Sequence, residues 1–345
     1  MGISSTHRID GMEQAGNTSA SEPDKAAIDA SEPGSLTISA DSSARIAPSF
    51  VSEAFLQLQQ RIEKKNGLVL SPLRLVLLTA ELPNAVRRWQ RSLSLPESSV
   101  SQQPEGSAVA KTFSWGRDVE SARSLIILAD YIAAALVANN CFAIAAVAHE
   151  FGHVHDNLSR GVVLGFRESD FNPAVNDWPG IREQLAEIVW SEYMAESIAA
   201  GYLTGEDLLA FLLNDPLHLA GIDKRLRQAV WSYKSGQRTL DSLWQESVTG
   251  LSDILANLGR TIARLEFVDN YEEGLSRLVQ PNSEKTRWRP VIEHFVRELK
   301  VLGNTAYNKW GSAPFNGIRE IVGEAFNSVG LFPSYDGRKL LVRVV

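Results

Sequence analysis

The sequence predicts an α+β fold: a small sheet packed on two helices that carry the candidate chemistry, followed by a mainly helical C-terminal region. Three observations carry that prediction. His149-Glu150-Phe151-Gly152-His153 ends an alanine-rich apolar run over 142–148 that is free of Gly and Pro, as in a helix buried through a core. Short apolar runs at 73–78, 109–115 and 124–129, bounded by polar or Pro-containing stretches, read as strands. Beyond Leu203, apolar positions recur with helical period over 208–213, 226–233, 240–265 and 291–302.

Taken in order, residues 1–48 are rich in Ser, Ala, Asp and Glu, poor in aromatics, and repeat Ala-Ser-Glu-Pro at 20–23 and 30–33. Such a segment cannot offset its ordering entropy, so a disordered tail is expected. It lacks the basic start and apolar block of a secretory signal. Its opening, Met1-Gly2-Ile3-Ser4-Ser5-Thr6, fits the N-myristoylation pattern, which implies a lipid anchor at Gly2 only in a eukaryotic context. A Ser-rich leader with this start also resembles the export signals of bacterial effectors delivered into host cells; an unmodified tail is the simpler reading.

Residues 49–205 read as one metal-bearing domain. Phe50, Val51, Phe55, Leu56, Leu58 and Ile62 suit an amphipathic helix, and apolar residues at 68–70 and 73–78 suit strand. Pro83 precedes a short helix through Val86 and Trp89, and 94–106 reads as a loop. The strand at 124–129 leads directly toward the motif helix. The span 125–148 is apolar enough to raise a transmembrane reading, but Asp130, Asn139 and Asn140 within it argue against an integral span, as do the charges on the next helix. The Gly-, Asn- and Pro-containing stretch 161–180 is expected to border a cleft. Residues 206–345 form the mainly helical region, closing with an Asp336-Gly337 turn and a strand-like run expected to rejoin a sheet.

Positions i and i+4 share a helix face, so His149 and His153 can present ring nitrogens to one ion with Glu150 beside them. Two neutral imidazoles and one more protein ligand suit Zn²⁺ with a position left for water. On the next apolar segment Glu192 and Glu196 again lie four apart, and a shared cation would relieve their repulsion; a solvated acidic edge with Glu183 and Glu187 is the plainer alternative. His155 is two residues past His153 and faces nearly the opposite side. Tyr193, Tyr202 and Tyr233 are candidates for oxyanion stabilisation.

With these residues the chain resembles the gluzincin metallopeptidases, in which HExxH is followed by an ExxxD or ExxAD motif on a later helix. Here that motif reads Glu192-Tyr193-Met194-Ala195-Glu196. The resemblance implies a zincin-like fold, a Zn²⁺ cofactor, Glu192 as third ligand and Glu196 as the carboxylate that orients a ligand histidine. Glu stands where the family has Asp, so Glu196 remains the reserve ligand. His218 resembles, by its order in the chain, the transition-state histidine of some gluzincins. Over residues 50–205 the chain is similar to the small cytoplasmic ImmA/IrrE-type peptidases, with their "AHE(L/F)GH" helix. The implied activity is hydrolysis of peptide bonds in a protein or peptide substrate, with Glu150 as general base. A non-catalytic zinc-stabilised regulatory or binding module, and a zinc-protease effector acting in a host cell, are the alternatives.

Composition fits a globular chain, with 44% hydrophobic and 22% charged residues among 345. A formal net charge of −7 and no basic stripe disfavour nucleic-acid binding. The lone Cys141 cannot form an internal disulfide and is expected as a buried thiol, consistent with a cytoplasmic setting.

Overall fold

The computed structural model describes residues 25–31, 35–95, 108–166, 177–269, 273–276 and 287–345. Strands β2 (Leu73–Thr79) and β4 (Arg123–Ala129) are buried along almost their whole length, which explains why both read as continuous apolar runs. They pair in parallel at the centre of a four-stranded sheet of order β1-β2-β4-β3, with β1 (Thr37–Ala40) parallel at one edge and β3 (Ala110–Trp115) antiparallel at the other.

Alternate side chains of the strands point to opposite faces. Val76, Leu78, Ile126 and Leu128 pack against α2 (Pro48–Asn66), α4 (Asp130–Val137) and α5 (Cys141–Leu164). Leu75, Leu77, Leu125 and Ile127 pack against α1 (Lys25–Asp29) and α3 (Leu82–Ser92).

The tail expected over 1–48 therefore ends earlier. Thr37 to Ala40 pair with Leu75 to Leu78, and Ile28 is buried against the α3 side. The averaged composition is polar, but ladder hydrogen bonds to a preformed strand and a few apolar side chains offset the ordering entropy of this stretch. Asp41 locks its end, accepting from the Ser43 and Thr79 hydroxyls at 2.6 and 2.8 Å and from Arg88 at 2.7 Å. Residues 1–24, with Gly2, lie outside the described residues.

The apolar stretch 125–148 divides into β4, α4 and α5. Asn139 takes a left-handed φ of 55°, and the Asn140 side chain caps α5 by accepting from the Ala143 amide at 3.0 Å. The two helices are bent by 117° at this break; among the described residues, no single helix is long and apolar enough to cross a membrane. Cys141, expected to be buried, is exposed, because it occupies the first turn of α5 beside the capping asparagine. Residues 68–70 pair with no strand, although Leu68 and Leu70 are buried. The stretch 161–180 holds the last turn of α5 and the start of α6 (Trp178–Ala199); its middle, 167–176, lies outside the described residues, as do 96–106 of the expected 94–106 loop.

The helical region comprises α7 (Gly205–Lys234), α8 (Leu240–Leu265), α9 (Arg289–Gly303) and α10 (Asn316–Ser328). The core does not break at 205/206. Trp178, Ile181, Leu185, Val189 and Trp190 of α6 belong to one apolar cluster with residues of α7 to α10, while Ile198 and Ala199 join the cluster under the sheet. α6 is thus shared by both halves. The terminal run pairs as β6 (Leu340–Val344) with β5 (Leu331–Tyr335) in a separate two-stranded antiparallel hairpin, rather than rejoining the main sheet. The Asp336 carboxylate holds the turn by accepting from the Arg338 and Lys339 amides, both at 2.9 Å.

Candidate metal centre

α5 and α6 approach closely because one face of α5 carries no side chain at Gly152. A Cβ built there would lie 2.5 Å from the Ala195 Cα. That contact sits between His149 and His153 on α5 and beside Glu192 and Glu196 on α6, so it sets the depth at which the two residue pairs meet.

His149, His153 and Glu192 each offer a ligand atom, and these atoms lie within 4.8 Å of one another. The two Nε2 atoms are 3.1 Å apart; Glu192 Oε2 is 3.4 Å from His149 Nε2, and its Oε1 is 3.9 Å from His153 Nε2. Donors around a tetrahedral zinc with bonds of about 2.0–2.1 Å are separated by about 3.3 Å, so the set needs only small adjustment. Two imidazole nitrogens this close cannot both present lone pairs to each other. Either one of them carries the hydrogen of an N–H···N bond, or both face a metal ion.

The outer ring nitrogens are each held. His149 Nδ1 is 3.0 Å from Glu196 Oε2, and His153 Nδ1 is 2.9 Å from the Ser191 hydroxyl. A partner on Nδ1 fixes ring orientation and leaves Nε2 for a cation, and the Glu196 carboxylate also sets the tautomer of His149. Glu196 uses its other oxygen to accept from Arg264 Nε at 2.7 Å. Both of its oxygens are therefore committed away from the convergence point, whereas Glu192 faces it.

Charge is arranged to match. Burial of His149 works against protonation, but hydrogen bonds and attraction from Glu192 and Glu196 outweigh it and raise its pKa to about 10. Burial, then the neighbouring positive His149, pushes His153 down to about 3. One positive charge is thus retained by the pair. Burial opposes ionisation of Glu192 too, yet Arg260 and the two histidines hold it well below the usual carboxylate range. Glu196, with Arg264 and His149 prevailing over burial, is lowered to about 2. Both glutamates are anions, and Glu192 is the one that faces the convergence point.

Glu150 is buried, and its Oε2 accepts from the Thr112 hydroxyl of β3 at 2.5 Å. Burial raises its pKa above the usual carboxylate value. His155 turns away, as its position predicted: its Nδ1 accepts from the Val69 amide at 3.0 Å and its ring meets Tyr307 edge-on. His218 lies inside α7, because the periodic apolar residues on both sides continue one helix; its side chain is outside the described set. Tyr193 donates to Glu266 at 2.8 Å and Tyr202 to Asn66 at 2.9 Å, so both hydroxyls are engaged elsewhere.

Sequence reasoning missed what α8 contributes. Arg260 NH1 donates to Glu192 Oε2 at 3.2 Å, Arg264 binds Glu196, and the order shows that α6 and α8 run in the same direction here. Arg264 also donates to buried Asp215 at 3.0 Å, which accepts from Thr261 at 2.7 Å. Gly259 permits this approach: a Cβ there would meet the Val189 carbonyl oxygen at 2.7 Å. A basic i, i+4 pair matching the acidic i, i+4 pair was the available signal. Ser191 and Thr112 left none.

The fold and centre define an α+β protein with a His-His-Glu group able to hold a metal ion. Comparison with protein-family models, curated proteins and solved structures gives no match.

Proposed function

We propose that the protein is a zinc-dependent metallopeptidase, with His149, His153 and Glu192 as ligands and Glu150 as general base. The observation that carries this reading is the convergence of three donors from two helices, each oriented by a partner, next to a buried glutamate. Zinc bound there supplies a Lewis acid and lowers the pKa of water to about 7.

The protein's own groups have separate tasks. Glu196 and Ser191 hold the rings of His149 and His153 with both Nε2 atoms turned to the same point. Glu150, its proton affinity increased by burial, accepts a proton from water and passes it to the leaving amine. Thr112 anchors that carboxylate to β3, whose outer edge pairs with no strand among the described residues and offers a peptide backbone a ladder. A protein or peptide is the substrate class that fits such an edge.

Glu150→Gln tests the reading. The variant should fold and bind zinc like the wild type, because Glu150 is no ligand, yet lose cleavage of a peptide library, because an amide cannot take the proton. Equal cleavage by both proteins removes Glu150 as base. Zinc binding with no cleavage by the wild type favours the structural-zinc alternative.

A further inference from the structure

We propose that Arg260 is the catalytic residue that binds the carbonyl oxygen of the scissile bond as negative charge develops on it, an assignment that rests on the metallopeptidase reading above. The sequence offered His218, Tyr193, Tyr202 and Tyr233 for this task. Two of those hydroxyls are spent on Glu266 and Asn66, and Tyr233 packs against the helical core.

The two arginines of α8 differ in a way that separates their roles. Arg264 is enclosed: its Nε and NH1 donate to Glu196 and Asp215, its guanidinium lies 4.0 Å from the Phe211 ring centroid, and its side chain is 8% exposed. It has the surroundings of a positioning residue. Arg260, one turn earlier, is 34% exposed and donates through NH1 to Glu192 Oε2. That same oxygen is 3.4 Å from His149 Nε2, so the guanidinium borders the ligands and also reaches solvent.

A guanidinium carries five N–H donors in a planar fork, so one can remain on Glu192 while others meet a substrate oxygen. In hydrolysis the water oxygen bonds to the carbonyl carbon and its proton goes to Glu150. The carbonyl π pair moves onto oxygen, where Arg260 meets the charge. That pair then re-forms the carbonyl as the C–N bond breaks, and Glu150 returns the proton to the amine. No oxidant or further reactant is needed, and a fixed cation at the charged oxygen acts where charge appears.

The test uses the zinc-loaded 345-residue chain and the variants Arg260→Met and Arg260→Lys. For Arg260→Met, kcat on a library-derived peptide should fall by about 10²–10³ with KM changed less than a few-fold. Its zinc affinity by competitive chelator titration should weaken by roughly 10- to 100-fold, because Glu192 loses a partner, so kcat is read at saturating zinc. Binding of a phosphinic peptide, which carries the tetrahedral negative charge, should weaken by a similar factor in calorimetry, and Arg260→Lys should recover part of both. Reduced zinc affinity with unchanged kcat at saturating zinc would show that Arg260 only holds Glu192, and overturns the proposal. Unchanged kcat and phosphinate affinity in a folded Arg260→Met, judged by circular dichroism, overturns it equally; if that variant does not fold, full kcat and full phosphinate affinity in Arg260→Lys does so. If zinc-loaded wild type cleaves nothing, the peptidase reading fails and this assignment falls with it.

Discussion

Replacing Gly152 with alanine tests the helix contact on which the centre depends. The added Cβ would meet the Ala195 Cα at 2.5 Å, the Ala195 Cβ at 3.1 Å and the Ile198 Cδ1 at 3.2 Å. The first of these is backbone, so no rotamer change relieves it. Carbon atoms pack at about 3.5–4.0 Å, so α5 and α6 must separate by about 1 Å. Overpacking of this kind costs about 1–3 kcal/mol. The separation also carries Glu192, less than one turn from Ala195, away from both histidines. Metal–ligand distances tolerate about 0.2 Å, so zinc affinity should fall by at least about 10-fold. Urea unfolding and chelator competition measure the two effects. Gly221→Ala is the control: a Cβ there meets nothing within 4 Å inside α7, and the change should stabilise by up to about 1 kcal/mol. A Gly152→Ala protein with wild-type unfolding midpoint and zinc affinity would refute the argument.

Three further outcomes follow from individual contacts. Glu192→Ala should release zinc, while Glu196→Ala should weaken it by roughly 10- to 100-fold, as loss of a histidine-orienting partner does; a larger loss in Glu196→Ala on chelator titration reverses the two roles. Asp156 is fully buried and accepts from Trp190, Tyr307 and Arg160, each at 2.8 Å, tying α5 to α6 and to the one-turn helix Tyr307–Lys309. Asp156→Ala strands the Trp190 and Tyr307 donors and leaves Arg160 only Asn157 and Glu187; it should lower unfolding free energy by about 3–5 kcal/mol in urea titration, and a loss under 1 kcal/mol would contradict it. For Asp41, burial opposes ionisation, but hydrogen bonds from Ser43, Thr79 and Arg88 prevail and hold its pKa below its ordinary 3.8. A carboxylate lowered in the folded state contributes stability in full above its unfolded pKa and loses it as pH falls through the folded one. Asp41→Asn should therefore narrow the difference from wild type below about pH 4, and an acid unfolding curve merely parallel to wild type would contradict this.

Much of the fold was legible because its signals are local. Short apolar runs at 73–78 and 124–129, bounded by polar or Pro-containing stretches, read as strands and form β2 and β4. The edge strand Thr37–Ala40 was not legible, since four partly buried residues inside a polar tail become a strand only when β2 is there to pair with. The exposure of Cys141 likewise depended on where Asn140 starts the helix, a matter of one residue that apolar periodicity does not resolve.

The chemical inventory of the centre is readable along the chain: two histidines on one helix face, a carboxylate beside them, and two glutamates one turn apart on a later helix, all consequences of the 3.6-residue period. The resemblance ranked Glu192 as ligand and Glu196 as the orienting carboxylate; the contacts themselves form only in three dimensions, where a glycine at 152 lets α5 meet α6 and a glycine at 259 lets α8 meet α6. Arg260 and Arg264 lie 68 residues beyond the glutamates they bind, and Thr112 lies 38 before Glu150. Periodicity along a chain states which side chains share a face. It carries no information about what the opposing face will be, because that depends on the packing of distant elements.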